Sequence, residues 1–122
     1  VRNQPRYTFF KNARYATEGL KEIFATETSF KIEAVLIAAV WIILLFLPIA
    51  WWAKAILGLS PLLILITEAL NSAIERVVDL VTKEHHPLAK QAKDAGSAAV
   101  FLAIVLTAGI WIATIGTLVI GD

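Results

Sequence analysis

The stretch Ala34–Ala53, AVLIAAVWIILLFLPIAWWA, runs for twenty residues between Glu33 and Lys54 without a charge. The hydrocarbon core of a bilayer is about 30 Å thick and takes about 20 residues of helix to cross. The stretch therefore predicts a transmembrane helix. Working outward, the twenty residues between Lys54 and Glu75 hold one charge, Glu68, and the twenty-seven between Asp94 and Asp122 hold none. Three spans follow, expected at 32–53, 55–81 and 93–120, with residues 1–31 left as an arm. The fold class expected is an all-α membrane protein in one domain, 1–122, with no internal repeat.

Composition agrees with this reading. Of 122 residues, 58% are hydrophobic and 17% charged, and the mean hydropathy is +0.72. Soluble domains carry roughly 45–50% apolar and about 25% charged residues. An ordinary soluble domain and a disordered chain are both excluded. Eleven basic residues against ten acidic ones give a net charge of +1, too weak a field for nucleic acid to be an expected partner. The lack of cysteine excludes disulfides, thiolate metal sites and Cys nucleophiles. The first apolar run begins too far in and is too long for a signal peptide. With no Met in the sequence, Val1 reads as a processed or trimmed start.

Lys and Arg set the orientation. Arg2, Arg6, Lys11, Arg14, Lys21 and Lys31 precede the first span; Arg76, Lys83, Lys90 and Lys93 lie between the second and third; only Lys54 follows the first. Basic segments stay cytoplasmic, so the N-terminus and the 76–93 segment are expected inside, the 48–54 turn and the C-terminus outside. Pro48 breaks the first span, and Trp51 and Trp52 follow where an aromatic belt belongs. Trp41 and Trp111 fall mid-span, against protein or lipid. In the arm, Phe9, Phe10, Ala13, Leu20, Ile23 and Phe24 recur at helical spacing between charged residues. That predicts an amphipathic helix on the cytoplasmic interface. Thr26, or alternatively Ser29, is the expected cap of the helix that follows.

Glu68 lies about fourteen residues into a span. Insertion scales put an acid at such depth at roughly 2.5–3.5 kcal/mol, and such residues face protein or a polar cavity. One reading is a neutral Glu bonded to another helix; the other is functional. Asn71, Ser72, Glu75 and Asp79 continue the same helical face toward the cytoplasm. A stripe with three carboxylates reads as a site or an ion path. Carboxylates suit Mg²⁺, which takes one or two of them together with substrate phosphates. Glu27, at the other end of the cytoplasmic region, could join Glu75 in holding it, a pairing that spacing alone does not fix. His85 and His86 are adjacent and cannot share a helix face, so a His-based zinc site is not expected. The glycines form neither GxxxxGK[ST] nor GxGxxG, so any nucleotide is bound without a P-loop.

The last helix opens with Lys93, Asp94, Ala95, Gly96, Ser97, Ala98 and Ala99, small residues suited to close helix contact after a charged pair. The run from Glu68 through Asn71 and Glu75 to Asp79 has the pattern E-x-L-N-S-A-I-E-x-V-V-D. With His86, Ala92-Lys93-Asp94 and Gly96–Val100, it resembles the prokaryotic diacylglycerol kinase family over about residues 6–118. The resemblance implies small bacterial inner-membrane kinases, working as homotrimers with sites shared between subunits. They pass the γ-phosphoryl of Mg-ATP to a lipid hydroxyl. For this chain it implies phosphorylation of 1,2-diacylglycerol to phosphatidic acid, for phospholipid metabolism and lipid recycling.

Carried onto matching positions, Glu68 resembles the general base and Asn71 its positioning partner. Glu27 and Glu75 resemble the metal- and ATP-coordinating carboxylates. Tyr15, Asp79, Glu84, His85, His86, Lys93 and Asp94 resemble nucleotide contacts. Ala13, Arg14, Ser29, Lys31, Glu33, Ser97 and Trp111, with Glu68, resemble lipid contacts. The chain departs from the family at Thr8, where an early basic residue belongs, and at Ala16 and Thr17 ahead of Gly19. Val77–Thr82 and His86–Lys90 resemble the branch that phosphorylates undecaprenol; Gly96–Ala99 resembles the diacylglycerol branch and weighs more, because it lies at the lipid end of the site. An ion-conducting pore lined by Glu68 and Asn71, or a structural subunit, leaves the Lys93-Asp94 pair and the extended motif without a purpose.

Overall fold

The computed structural model describes Arg6 and residues 8–121. Val1 and Arg2, read above as a trimmed start and as part of the basic arm, lie outside the described residues. The chain is all-helical: α1 Phe9–Thr26, α2 Thr28–Phe46, α3 Trp51–Leu59, α4 Leu62–Val81 and α5 Pro87–Ile120. Three helical stretches are long and apolar enough to cross a membrane: Thr28–Phe46, Trp51–Val81 and Pro87–Ile120. They match the three expected spans, with shifted ends.

Each shift has a local cause. The α1–α2 junction is one non-helical residue, Glu27 (φ −103°, ψ 107°). Neither expected cap is used there: the Thr26 hydroxyl donates back to the Glu22 carbonyl at 2.8 Å, and Ser29 lies inside α2. α2 stops at Phe46, short of residue 53, because Pro48 forces Leu47 into extended backbone (ψ 139°). The Lys54 ammonium then donates to the Leu45 carbonyl at 3.3 Å, satisfying one of the orphan acceptors of that helix end.

The second span begins at Trp51, ahead of the expected 55, and carries a break that the sequence reading missed. Pro61 has no N–H to continue the ladder. The next amides tighten instead, Leu63 N donating to Ser60 O at 3.1 Å and Ile64 N to Pro61 O at 3.0 Å. Ser60 and Pro61 keep right-handed helical angles, so the chain bends without turning away. The third helix starts at Pro87, ahead of residue 93. His86 Nδ1 accepts from Leu88 N at 3.1 Å, and Pro87 sits in the first turn, where no N–H is needed. At the other end Gly121 takes φ +85°, the left-handed cap that closes a helix.

α4 and α5 pack along each other, and α2 lies across α3 and α4. The buried positions of α2, Phe30, Ile37 and Leu44, recur every seven residues and form a single seam. On α5 the seam is Gly96, Ala103, Thr107 and Thr114, small residues that let helices approach. Trp41 packs on protein: its indole donates to the Gly58 carbonyl at 2.7 Å. Burial stops there. The chain exposes 9278 Å², against roughly 6,500 Å² for a soluble monomer of its mass. Large apolar side chains such as Phe46, Leu80 and Ile120 are more than 80% exposed. Such a surface belongs against lipid or another protein. On α1, Phe9, Phe10, Leu20 and Phe24 are exposed too, as an interfacial helix requires.

Candidate functional site

The polar stripe of α4 meets the α1–α2 junction and the first turns of α5 in a cleft of about 420 Å³. Glu27, Ser29, Glu68, Asn71, Ser72, Glu75, Ser97 and Val100 line it. Helical spacing explains the α4 contribution: residues 68, 71, 72 and 75 share one face. Glu27 and Ser29 come from the α1–α2 junction, where Glu27 is the single extended residue between the two helices.

Gly96 sets how closely α5 approaches. A Cβ built there would overlap Asn71 Oδ1 and lie 3.3 Å from Asn71 Cγ. Asn71 Nδ2 donates to Glu75 Oε1 at 3.3 Å, while its Oδ1 is buried with no hydrogen-bond partner among the described residues. A buried acceptor left unpaired costs about 1–3 kcal/mol. From α2, Glu33 comes near enough to Glu68 for the two carboxyls to interact, and Glu33 Oε2 is buried with no hydrogen-bond partner among the described residues. Glu68, Glu27 and Glu75 line the cleft, and Glu33 stands behind Glu68 without lining it.

Arg76 ties the mouth together. Its guanidinium donates to Glu22 Oε1, to Thr26 Oγ1 at 3.0 Å and to Glu27 Oε1 at 3.0 Å. The fork joins the end of α1, the junction and α4 at one point. The Arg76 guanidinium holds the Glu22 carboxyl below its ordinary value of 4.5. A depressed folded value means the contact is fully present above the unfolded value and is lost as pH falls through the folded one. The distance between spin labels at Glu18 and Lys83 is therefore expected to stay constant through neutral pH and to broaden below about pH 4.5. In Glu22→Gln that transition should disappear.

The other expected site residues lie outside this cleft in the single chain. Lys93 Nζ pairs with Asp79 Oδ1 at 2.8 Å, and Lys90 Nζ with Asp94 Oδ2 at 2.6 Å. The neighbours Lys93 and Asp94 thus point to different partners. His86 caps α5; His85 and Glu84 are exposed in the turn before it. On α1 the Arg14 guanidinium lies 6.0 Å from the Tyr15 ring, and Ala13 accepts from the Thr17 hydroxyl at 2.9 Å. The Lys31 ammonium lies 5.6 Å from the Phe24 ring. Trp111 lines a separate apolar cavity of about 270 Å³ with residues of α2 and α3. It is fourteen positions beyond Ser97, roughly 21 Å along the helix.

Sequence reading passed over Arg76 as a site residue, counting it only as a cytoplasmic charge. Its partners are 49 to 54 residues away in the chain, and helical periodicity carries no such pairing. Gly96 was visible as a close-packing residue, but its contact with Asn71 was not.

Among the described residues no three acidic or His side chains converge as a metal cage. Glu27 and Glu75 bordering one cleft do fit a Mg²⁺ that brings its own phosphate and water ligands, since such an ion needs only one or two carboxylates. The arrangement sets a carboxyl, Glu68, within a span, and two carboxylates, Glu27 and Glu75, that accept phosphate only through a bridging cation.

A family profile described as Prokaryotic diacylglycerol kinase matches residues 14–115. The Diacylglycerol kinase of Escherichia coli (strain K12) is 39% identical over 101 residues, 83% of each chain. The Diacylglycerol kinase of Pseudomonas aeruginosa is 43% identical over 98 residues, 80% of this chain and 79% of the relative. The Undecaprenol kinase of Bacillus subtilis (strain 168) is 42% identical over 101 residues, 81% of this chain and 80% of the relative.

Proposed function

The chain belongs to the prokaryotic diacylglycerol kinase family, membrane lipid kinases that use ATP, and from that premise we propose that its acceptor is 1,2-diacylglycerol, converted to phosphatidic acid. The observation that carries this reading is the cleft itself. It runs from Glu68, at membrane depth, to Glu27 and Glu75 at its mouth. An acceptor hydroxyl arriving through the bilayer and a phosphate donor arriving from water can meet only where those two environments join.

The reaction asks for positioning, charge neutralisation and a group at the attacking hydroxyl. Glu68 takes the hydroxyl proton as the lipid oxygen attacks the γ-phosphorus, and ADP leaves on the opposite side. Asn71, bonded to Glu75 and packed against Gly96, links the base to the mouth. Glu27 and Glu75 would hold Mg²⁺, which when bound neutralises phosphate charge. Ser29 and Ser97 flank the cleft and contact the lipid head group with Glu33. Ala13, Arg14 and Lys31 meet it from the arm side, and Trp111 meets an acyl chain in its apolar cavity.

Tyr15, Asp79, Glu84, His85, His86, Lys93 and Asp94 contact the nucleotide. Their position outside the cleft of one chain supports a site completed by a neighbouring subunit, and the exposed apolar faces of the helices support an oligomer. We take it as a homotrimer in the bacterial inner membrane, each chain one kinase domain, with the arm and the 76–93 segment cytoplasmic and the C-terminus outside.

A second acceptor, undecaprenol, is supported by the Bacillus subtilis relative at 42% identity and by Val77–Thr82 with His86-Pro87. Competition decides between them. With both lipids in one mixed micelle and labelled Mg-ATP, phosphatidic acid is expected to take the label faster. Faster labelling of undecaprenol would keep the fold and the catalytic roles and reassign the physiology to cell-wall carrier supply.

A further inference from the structure

Glu27 is the one extended residue between two helices, and its side chain has no capping bond to hold it. A carboxylate on such a junction would sample several rotamers unless something fixed it. Arg76 does so. One guanidinium nitrogen meets Glu27 Oε1 and Thr26 Oγ1, both at 3.0 Å, and the other meets Glu22 Oε1. Thr26 is itself fixed, donating to the Glu22 carbonyl at 2.8 Å and lying 3.1 Å from Glu22 Oε2. The fork engages only one oxygen of Glu27 and leaves Oε2 for the cleft that Glu27 lines.

We propose that Arg76, braced by Glu22 and Thr26, is a positioning residue that orients the Glu27 carboxylate for the divalent cation carried by the nucleotide. This rests on the reading of Glu27 as a cation ligand. Hydrogen bonds behind a ligating carboxylate fix its direction, and their loss typically weakens metal binding 10–100-fold.

A cation beside a metal ligand has a second effect, repulsion. Glu22 answers it: the guanidinium is paired on its far side, and the cluster of Glu22, Arg76 and Glu27 carries a net charge of −1. All three side chains are also between a third and a half exposed, so what field is left is screened by solvent. Orientation is the larger effect, and charge-conserving variants isolate it. Arg76→Lys keeps the charge but replaces a planar two-nitrogen fork with one ammonium on a flexible stem, which loses the fixed geometry. The pair Arg76→Met with Glu22→Gln removes the fork and leaves the net charge at −1.

The experiment measures the Mg²⁺ dependence of phosphotransfer in full-length protein at saturating lipid. In both charge-conserving variants half-activating Mg²⁺ is expected to rise about tenfold, with turnover at saturating Mg²⁺ retained. Amide hydrogen exchange over residues 22–31, measured without metal or nucleotide, is expected to quicken in both. Adding Glu27→Gln to either variant should shift the Mg²⁺ response no further than Glu27→Gln does alone. An unshifted Mg²⁺ response in both variants, while Glu27→Gln alone does shift it, overturns the positioning role. An unshifted response in Glu27→Gln overturns the cation-ligand reading beneath it.

Discussion

Glu68→Gln is expected to lower the turnover of lipid phosphorylation by roughly 10²–10⁴, the usual contribution of a positioned general base. Gln has the shape of Glu and the same hydrogen-bonding length, but it cannot accept the hydroxyl proton. The loss should fall on turnover and leave the apparent affinity for nucleotide nearly unchanged, because in the proposed arrangement the nucleotide's phosphates meet Glu27 and Glu75 and not Glu68. Folding should be undisturbed or improved, since the substitution removes a carboxyl from membrane depth and from the face of Glu33. Helical content and oligomer size measured on the same preparation check that. Wild-type-like turnover in a folded Glu68→Gln protein would remove Glu68 as base.

The second large effect is expected at Gly96, which touches no substrate. A single methyl there overlaps Asn71 Oδ1, and the nearest alternative neighbour, Ile74 Cδ1, is already at 3.6 Å. Either α5 moves off α4 or Asn71 rotates and gives up its bond to Glu75. Overpacking of this kind costs about 1–3 kcal/mol. Where the strain is relieved by moving Asn71, it appears as a loss of turnover of roughly 10- to 100-fold. Gly96→Ala is therefore expected to resemble a damaged active site, while Gly109→Ala, with nothing within 4 Å of the added carbon, should be silent. Equal activity in the two variants would show that the α4–α5 approach at Asn71 does not matter to catalysis.

The fold was legible because lipid imposes a simple rule. Apolar runs of about twenty residues with one charge or none must cross lipid as helices, and the three such runs in this sequence are the three span-length helical stretches found among the described residues. What periodicity could not supply was the position of the ends. Those depend on single residues whose effect is local: Pro48 stopping α2, His86 and Pro87 starting α5 early, Thr26 folding back on its own helix. Pro61 shows the limit well. Its bend keeps helical angles on both sides, so nothing in the surrounding hydropathy marks it.

The site divides the same way. Glu68, Asn71, Ser72 and Glu75 could be read together because one helix carries them at fixed spacing. Glu27, Ser29 and Ser97 join them through tertiary packing; carboxylate chemistry offered Glu27 as a companion of Glu75, and only the resemblance pointed to Ser29 and Ser97. Arg76 had neither aid: it lies on the right helix, but its purpose is visible only in the three acceptors brought from α1 and the junction. Lys93 and Asp94 were expected as a pair from their adjacency, yet neighbouring residues on a helix diverge by about 100°, and they face different partners.

The central claim is that this cleft moves a phosphoryl group from ATP to a membrane lipid hydroxyl. The most direct measurement is the initial rate at which purified protein passes label from γ-labelled Mg-ATP into 1,2-diacylglycerol in mixed micelles. Label is expected in phosphatidic acid, in step with ADP release, at a rate that depends on the lipid. ADP release without labelled lipid, or no transfer to diacylglycerol in a folded, Mg²⁺-supplied preparation, would contradict the account.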